Sequence, residues 1–187
     1  MKNTTNNGEI SLLPVGIIIT GLNGCGKSTV CKLLAEKLNY YSMDVEDYYF
    51  IDSDIPYSKF HTHEQTKKLM LNDIVKHNHF VLETVNCDWG EEITSICKFA
   101  VVLKAPLNIR MKRIRKREEA KFGNRVSIGG DLYESQQKFH NKVLARGEEH
   151  IAKQMQFINC PVLELDATLP VQDIVDIIYK KYTDKFY

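Results

Sequence analysis

Residues 21–28 read Gly-Leu-Asn-Gly-Cys-Gly-Lys-Ser and follow the pattern G-x-x-x-x-G-K-[ST] at every position. The glycines let the backbone curl, so that successive N–H groups can point at phosphate oxygens. Lys27 can place a positive charge on the outer phosphates, and the Ser28 hydroxyl can ligate a bridging Mg²⁺. The segment therefore predicts a bound nucleoside triphosphate with Mg²⁺. The candidate contacts are Gly21, Asn23, Gly24, Cys25, Gly26, Lys27, Ser28 and Thr29.

The flanking sequence gives this segment the context that it needs. Residues 15–20 form an apolar run typical of a buried parallel strand, and Ser28 to Leu38 carries its apolar residues on one helical face. Strand, loop and helix thus follow in order, and the N-terminal dipole of the helix favours an anion at the loop.

Strand-like runs alternate with helical patterns along the rest of the chain. This alternation predicts an α/β fold of three layers with a central parallel five-stranded sheet, whose ligands lie at the carboxyl ends of the strands. The predicted strands are Val15 to Thr20, Tyr41 to Asp44, Phe80 to Glu83, Phe99 to Lys104 and Pro161 to Asp166.

The length of 187 residues predicts a single domain. Residues 1–9 are polar and unpatterned, which predicts a disordered tail before a domain over 10–187. Two segments are longer than a crossover between strands requires. We interpret residues 45–79 as an acceptor-binding insertion and residues 118–135 as a lid.

The bulk composition gives little support to several classes of partner. The net charge is +1, which gives no reason to expect nucleic acid or a membrane surface, and no apolar run is long enough to span a bilayer. The five cysteines have neither C-x-x-C spacing nor a Cys/His cluster, which favours a reducing cytoplasm over a disulfide framework or a zinc site.

Acidic residues follow two of the predicted strands. Asp44, Glu46 and Asp47 come at the end of the second strand, where a carboxylate could take a proton from a substrate hydroxyl or hold Mg²⁺. The alternative is an acidic first turn of a helix. We favour function, with Asp44 the best candidate because it directly ends the strand. Glu83 ends the third strand and supports either the metal or the structure, so the metal candidates are Ser28, Asp44 and Glu83.

Two basic features follow the fourth strand. Arg113 and Arg117 are four residues apart, so on a helix both can face one triphosphate, although a solvated helix face is the alternative. Further on, glycines at 123, 129 and 130 surround Arg125, as expected of a lid that brings a cation to the transferring phosphoryl group. A plain surface loop is the alternative there, and Arg146 is a candidate for a second such arginine.

Together these motifs resemble the nucleoside-monophosphate-kinase-like group of P-loop kinases, which includes adenylate and shikimate kinases. The resemblance implies the P-loop NTPase fold, with residues 21–28 as its Walker A motif. It also implies that Arg113 lies against the adenine, that Arg117 meets phosphate, and that the run from Asp166 to Val171, with Thr168, sits beside the adenine. Within the group, the lid sequence looks like an uncharacterised bacterial branch labelled as AAA-family ATPases.

The sequence thus predicts an ATP- and Mg²⁺-dependent phosphotransferase acting on a small hydroxyl- or phosphate-bearing acceptor. Lys27, Asp44, Arg117 and Arg125 are its expected catalytic residues. Residues 83–86 depart from the adenylate-kinase signature, so the resemblance does not name the acceptor. Two alternatives remain open: an ATP-binding regulatory module with slow ATPase activity and a protein partner, and a kinase of nucleic-acid ends.

Overall fold

The computed structural model describes residues 3–4, 10–11 and 13–186. The tail predicted over residues 1–9 lies mostly outside these ranges and stays a prediction. The described strands are β1 (Asn3–Thr4), β2 (Ile10–Ser11), β3 (Val15–Gly21), β4 (Tyr41–Asp44), β5 (Phe50–Ile51), β6 (Lys59–Phe60), β7 (His79–Thr84), β8 (Cys97–Lys104) and β9 (Val162–Asp166).

The described helices lie between and after these strands. They are α1 (Lys27–Leu38), α2 (Val45–Tyr49), α3 (His63–His77), α4 (Glu91–Thr94), α5 (Leu107–Phe122), α6 (Tyr133–Ala145), α7 (Glu148–Met155) and α8 (Val171–Phe186), with a 3₁₀ helix at Gly123–Val126.

A parallel five-stranded sheet in the order β4-β7-β3-β8-β9 forms the middle of the fold. The prediction of an α/β fold with this sheet is confirmed. The predicted strand positions agree with the observed ones to within two residues at each end. Because the strands are parallel, their carboxyl ends share one edge, and residues 21–28 follow β3 at that edge.

Alternate residues of the central strand β3 feed two hydrophobic cores, one on each face of the sheet. Ile17 and Ile19 pack in the first core with residues of α1 and α8. Ile18 packs in the second core with residues of α3. Since successive side chains of a strand point to opposite faces, a strand covered on both sides must be apolar throughout, which explains the continuous apolar run in the sequence.

The two long insertions leave from the carboxyl edge of the sheet. Residues 45–78 form α2, the antiparallel hairpin β5–β6 and α3 between β4 and β7. Residues 105–161 form α5, the 3₁₀ helix, α6 and α7 between β8 and β9. Both insertions therefore start beside the loop that follows β3.

None of the described helices is both long enough and apolar enough to cross a membrane.

Ile178 tests how much the last helix contributes to this fold. Its side chain is fully buried in the first core, so Ile178→Ala should lower the free energy of unfolding by about 2–5 kcal/mol through lost burial and the cavity that remains. Urea titration would measure the change. Lys180→Ala, at an exposed position of the same helix, is the control and should change the value by less than about 0.5 kcal/mol. A loss for Ile178→Ala no larger than that of the control would contradict the packing of α8.

Candidate functional site

The segment after β3 takes the shape of a phosphate-binding loop. Gly26 lies directly before α1 with φ 92°, and Gly24 has φ 85°. A Cβ on Gly24 would come within 2.6 Å of the backbone oxygen of Arg110. Gly24 is therefore required both for its left-handed backbone and for the close approach of α5.

Two arginines of α5 donate hydrogen bonds to carbonyl groups of this loop. Arg110 is buried and donates hydrogen bonds from Nε to the Ala105 carbonyl (3.2 Å) and from Nη1 to the Asn23 carbonyl (3.2 Å). Arg113 donates from Nη1 to the Cys25 carbonyl (3.4 Å) and from Nη2 to the Ala167 carbonyl (2.9 Å). Arg113 thus joins the phosphate loop to the turn after β9.

A cavity of about 460 Å³ opens on the inner side of the loop. The residues that line it come from the loop, α1, α2, β7, α5 and the segment from the turn after β9 to α8. They are Asn23, Gly24, Cys25, Gly26, Lys27, Ser28, Thr29, Val30, Glu46, Glu83, Arg113, Ile114, Arg117, Ala167, Leu169, Val171 and Ile174.

This lining brings together most of the predicted nucleotide contacts. Gly21, at the end of β3, and Thr168 do not line the cavity. The Thr168 N–H donates a hydrogen bond to Asp166 Oδ1 (2.8 Å), and this bond closes the turn after β9. Ala167 and Leu169, which flank Thr168 in this turn, line the cavity.

A buried ion pair stands at the centre of the cavity wall. Lys27 Nζ lies 3.1 Å from Glu83 Oε1, and the two residues are 5% and 6% exposed. The pair forms because Glu83 lies opposite Ile19 in the β3–β7 register, close to where the loop leaves the sheet. Burial raises the pKa of Glu83 to about 7; Lys27 opposes this shift, and the neighbouring Asp44 adds to it.

The acidic residues after β4 divide between two positions. Asp44 caps α2, because its Oδ1 accepts the Glu46 N–H at 2.9 Å, and it also adjoins Glu83. Glu46 instead lines the cavity and stays accessible to solvent through the cavity mouth. Partial burial and the charge of Asp44 raise the pKa of Glu46, while Arg117 and Lys27 oppose the shift.

Arg117 and Arg125 differ in what surrounds them. Arg117 lines the cavity, and within residues 13–186 no carboxylate lies within 4.0 Å of its guanidinium. Arg125 is exposed in the segment predicted as a lid and pairs with Asp131, with Nη2 2.7 Å from Oδ2. The structure therefore places Arg117, and not Arg125, at the cavity.

Sequence reasoning missed two features of this site. The sequence analysis assigns no role to Arg110, yet this arginine is buried and hydrogen-bonds the Asn23 carbonyl of the loop. The sequence analysis favours Asp44 over Glu46 as the functional carboxylate, although Glu46 is the one that lines the cavity. Arg146, named as a further candidate, donates from Nη1 to Asn23 Oδ1 (3.3 Å) and so reaches the rim of the loop.

The oxygen donors at this edge fit a hard cation. The Ser28 hydroxyl and the Glu83 carboxylate line the cavity, and Asp44 adjoins Glu83. Hydroxyl and carboxylate oxygens are the ligands that Mg²⁺ takes in proteins. Within the described part of the chain, no three His, Cys, Asp or Glu side chains are grouped so that they could hold a metal by themselves.

The sheet order, the loop and the cavity define the fold of the P-loop kinases of the nucleoside-monophosphate-kinase-like type, and solved structures share it. A shikimate kinase from Bacteroides thetaiotaomicron matches with a TM-score of 0.54 and 17% identity, over 90% of this chain and 98% of that chain. A deoxyadenosine kinase from M. mycoides matches with a TM-score of 0.50 and 17% identity, over 91% and 100% of the two chains. At this level of identity the likeness shows the fold alone.

The sequence comparisons then define the family. Residues 17–128 match the family described as AAA domain. The chain is also 30% identical over 171 residues to the uncharacterized protein YqaC of Bacillus subtilis (strain 168), covering 86% of this chain and 93% of that protein. The chain belongs to the AAA domain family, and the resemblance drawn from its motifs is confirmed.

The raised pKa of Glu83 predicts a pH-dependent stability of the nucleotide-free protein. A carboxyl whose pKa is about 7 in the folded chain and near 4.5 in the unfolded chain holds its proton longer when folded. Its contribution is therefore present in full below about pH 4.5 and is lost as the pH rises to about 7. The loss is up to about 3 kcal/mol, from 1.36 kcal/mol per pKa unit.

Urea unfolding of the wild type and of Glu83→Gln at pH 4.5, 6 and 7.5 measures this loss. The wild type should lose free energy of unfolding relative to Glu83→Gln as the pH rises. Glu36→Gln, at an exposed position of α1, should show no such pH-dependent difference. A wild-type minus Glu83→Gln difference that is constant with pH would contradict the raised pKa.

Proposed function

We propose that this protein is an ATP- and Mg²⁺-dependent phosphotransferase that acts on a small hydroxyl- or phosphate-bearing acceptor. The observation that carries the proposal is one cavity lined by the phosphate loop with Lys27, by the unpaired Arg117 and by the carboxylate of Glu46. A phosphate cradle, a cation and a base facing the same space are what phosphoryl transfer requires.

The nucleotide would be held at both of its ends. The N–H groups of the loop and Lys27 would bind the phosphates, with Arg117 turned to the same anion. The adenine would lie against Arg113 and beside the turn from Asp166 to Leu169, whose residues Ala167 and Leu169 line the cavity. The preference for adenine rests on the family resemblance alone.

Mg²⁺ would be held by Ser28, with Glu83 and Asp44 in support. When bound, the ion would neutralise phosphate charge that otherwise repels an incoming nucleophile. Lys27 pairs with Glu83 in the nucleotide-free structure, so phosphates that enter the cavity offer this ammonium a second anion.

The acceptor would enter from the side of residues 45–79. Its hydroxyl would lose a proton to Glu46, or be oriented by Asp44 at the start of the same helix, as its oxygen attacks the terminal phosphorus. The bond from that phosphorus to the bridging oxygen would break, and ADP would leave with this oxygen. Burial and the charge of Asp44 raise the pKa of Glu46, which makes its carboxylate a stronger base than an ordinary glutamate.

Arg125 would act after the lid closes. In the structure its guanidinium is neutralised by Asp131, so closure would exchange this carboxylate for the transferring phosphoryl group. Both side chains of the pair are about half exposed, and exposed ion pairs are weak enough to be exchanged in this way.

Two further observations support an enzyme of this kind in the cytoplasm. Two of the solved structures that share the fold are named as a deoxyadenosine kinase and a shikimate kinase. All five cysteines are free thiols, four of them buried, which suits a reducing compartment.

The experiment that tests the proposal measures ADP release from Mg²⁺-ATP in the presence of pooled acceptors. The pools are nucleoside monophosphates, nucleosides, sugars and sugar acids, shikimate, and small alcohols. One pool should stimulate ADP release strongly. Lys27→Ala should reduce the stimulated rate by about 10² to 10³, as expected for loss of a preorganised charge on the transferring group.

Lys37→Ala is the matched control, because Lys37 lies on the same helix and makes an exposed ion pair with Asp176. This variant should keep the wild-type rate. ATP binding without stimulation by any pool, combined with stimulation by a protein partner, would reject the kinase in favour of a nucleotide-binding regulatory module. Binding to oligonucleotides that weakens steeply with salt would favour a kinase of nucleic-acid ends.

The division between Glu46 and Asp44 gives a second prediction. Glu46→Gln should reduce the stimulated turnover by about 10² to 10⁴ with little change in ATP affinity, because it removes a base and keeps the shape. Asp44→Ala removes the N-cap of α2 and should also lower the free energy of unfolding, by up to about 2 kcal/mol. Asp47→Asn, at an exposed position of α2 outside the cavity lining, is the control. Full activity in Glu46→Gln would assign the base elsewhere.

A further inference from the structure

The two insertions, which are far apart in the chain, meet at one polar and aromatic contact. Lys121 Nζ donates a hydrogen bond to the Tyr57 hydroxyl at 2.8 Å. The Phe122 ring packs edge-on against the Tyr57 ring, with 6.4 Å between centroids and an interplanar angle of 88°. Lys121 Nζ also lies 5.4 Å from the Phe122 ring centroid. We call these three residues the clasp.

On one side, the clasp adjoins the point where the chain leaves α5 for the predicted lid. Phe122 is the last residue of α5, and Gly123 follows with φ 56°. No heavy atom lies within 4 Å of the position that a Cβ on Gly123 would take. A left-handed glycine in open space can change its backbone angles without a clash, so this residue has the properties of a hinge.

On the other side, the clasp holds the connection of the β5–β6 hairpin. Tyr57 has φ 62°, a backbone region that residues with a Cβ rarely adopt. Its ring packs edge-on against Phe50 of β5 at 4.8 Å. Contacts of the Tyr57 side chain therefore stabilise a backbone conformation that the residue would not otherwise favour.

The hairpin is joined in turn to the helix that lines the cavity. The His61 N–H donates to the Tyr49 carbonyl at 2.8 Å, and the Tyr49 ring stacks on Phe60 of β6 at 5.5 Å. Tyr49 is the last residue of α2, the short helix that carries Glu46. Contacts thus run without a break from the cavity through α2 and the hairpin to the clasp and the hinge.

The clasp lies at the surface, so it can open and close. Tyr57 is 42% exposed and Lys121 is exposed as well. A single exposed hydrogen bond biases an equilibrium by no more than about tenfold, which is enough to couple two segments and too little to lock them.

We propose that the clasp makes the acceptor-binding hairpin and the lid hinge move together, with Lys121 and Tyr57 as positioning residues. Lid closure then depends on whether the hairpin has closed around an acceptor. The consequence for catalysis rests on the proposed function, whereas the mechanical coupling does not.

Hydrogen–deuterium exchange of the nucleotide-free protein tests the coupling. Tyr57→Phe and Lys121→Met should each speed exchange in residues 123–131 by between two and about tenfold. The double variant should exchange no faster than the faster single variant, because both changes remove one contact. Lys116→Met, at an exposed position of α5, is the control. Exchange in the two single variants equal to that of Lys116→Met would overturn the proposal.

A second substitution tests transmission in the opposite direction. Asp131→Asn removes the partner of Arg125 and should loosen the lid. Exchange in residues 50–60 should then rise in the wild-type background and stay unchanged when Lys121→Met is already present. A merely structural role of Lys121 predicts that Asp131→Asn changes exchange in residues 50–60 equally in both backgrounds. Such an equal change, or no change in either background, would overturn the coupling.

The activity of the same variants separates the two proposals. With an acceptor that stimulates ADP release, Lys121→Met should raise the acceptor KM and the acceptor-free hydrolysis, each by up to about tenfold, with the ATP KM unchanged. If no acceptor stimulates turnover, the phosphotransferase proposal fails. The exchange experiments use no nucleotide, so they still test whether the clasp couples the hairpin to the lid hinge.

Discussion

The site depends on a buried pair of opposite charges, the ammonium of Lys27 and the carboxylate of Glu83. Both groups are removed from water, and the desolvation of two ions is costly unless each has a partner. The parallel register of β3 and β7 supplies that partner, because it brings the end of β7 beside the start of α1. Glu83 thus holds the ammonium of Lys27 in the wall of the cavity, where both side chains are buried.

Hydrogen-bond partners also determine the conformation of the phosphate loop. Arg110 and Arg113 donate hydrogen bonds to the carbonyl oxygens of Asn23 and Cys25. In a trans peptide the carbonyl and the following N–H point in opposite directions. The N–H groups of Gly24 and Gly26 therefore point away from these two arginine contacts. The arginines of α5 thus fix the orientation of two peptide groups in the loop.

The sequence predicted the sheet and the loop well because local patterns determine both. The apolar run of β3 and the motif at residues 21–28 each identify one element without reference to the rest of the chain. The division of roles between Asp44 and Glu46 could not be read in this way. It depends on α2 starting directly after β4, which uses Asp44 as the cap and turns Glu46 to the cavity. The role of Arg110 could not be predicted either, because the Asn23 carbonyl that it binds lies 87 residues away in the sequence.

The sheet order has a consequence for how the chain folds. The central strand β3 is synthesised before all four of its companions in the sheet, yet its own neighbours are β7 and β8. Val15 pairs with His79, and Gly16 pairs with Cys97. β3 can therefore form no sheet hydrogen bonds on either side until these distant segments of the chain are present. Such non-local parallel pairing slows folding and leaves an apolar strand exposed in the meantime. During synthesis the strand that carries the phosphate loop is therefore the segment most in need of protection from aggregation.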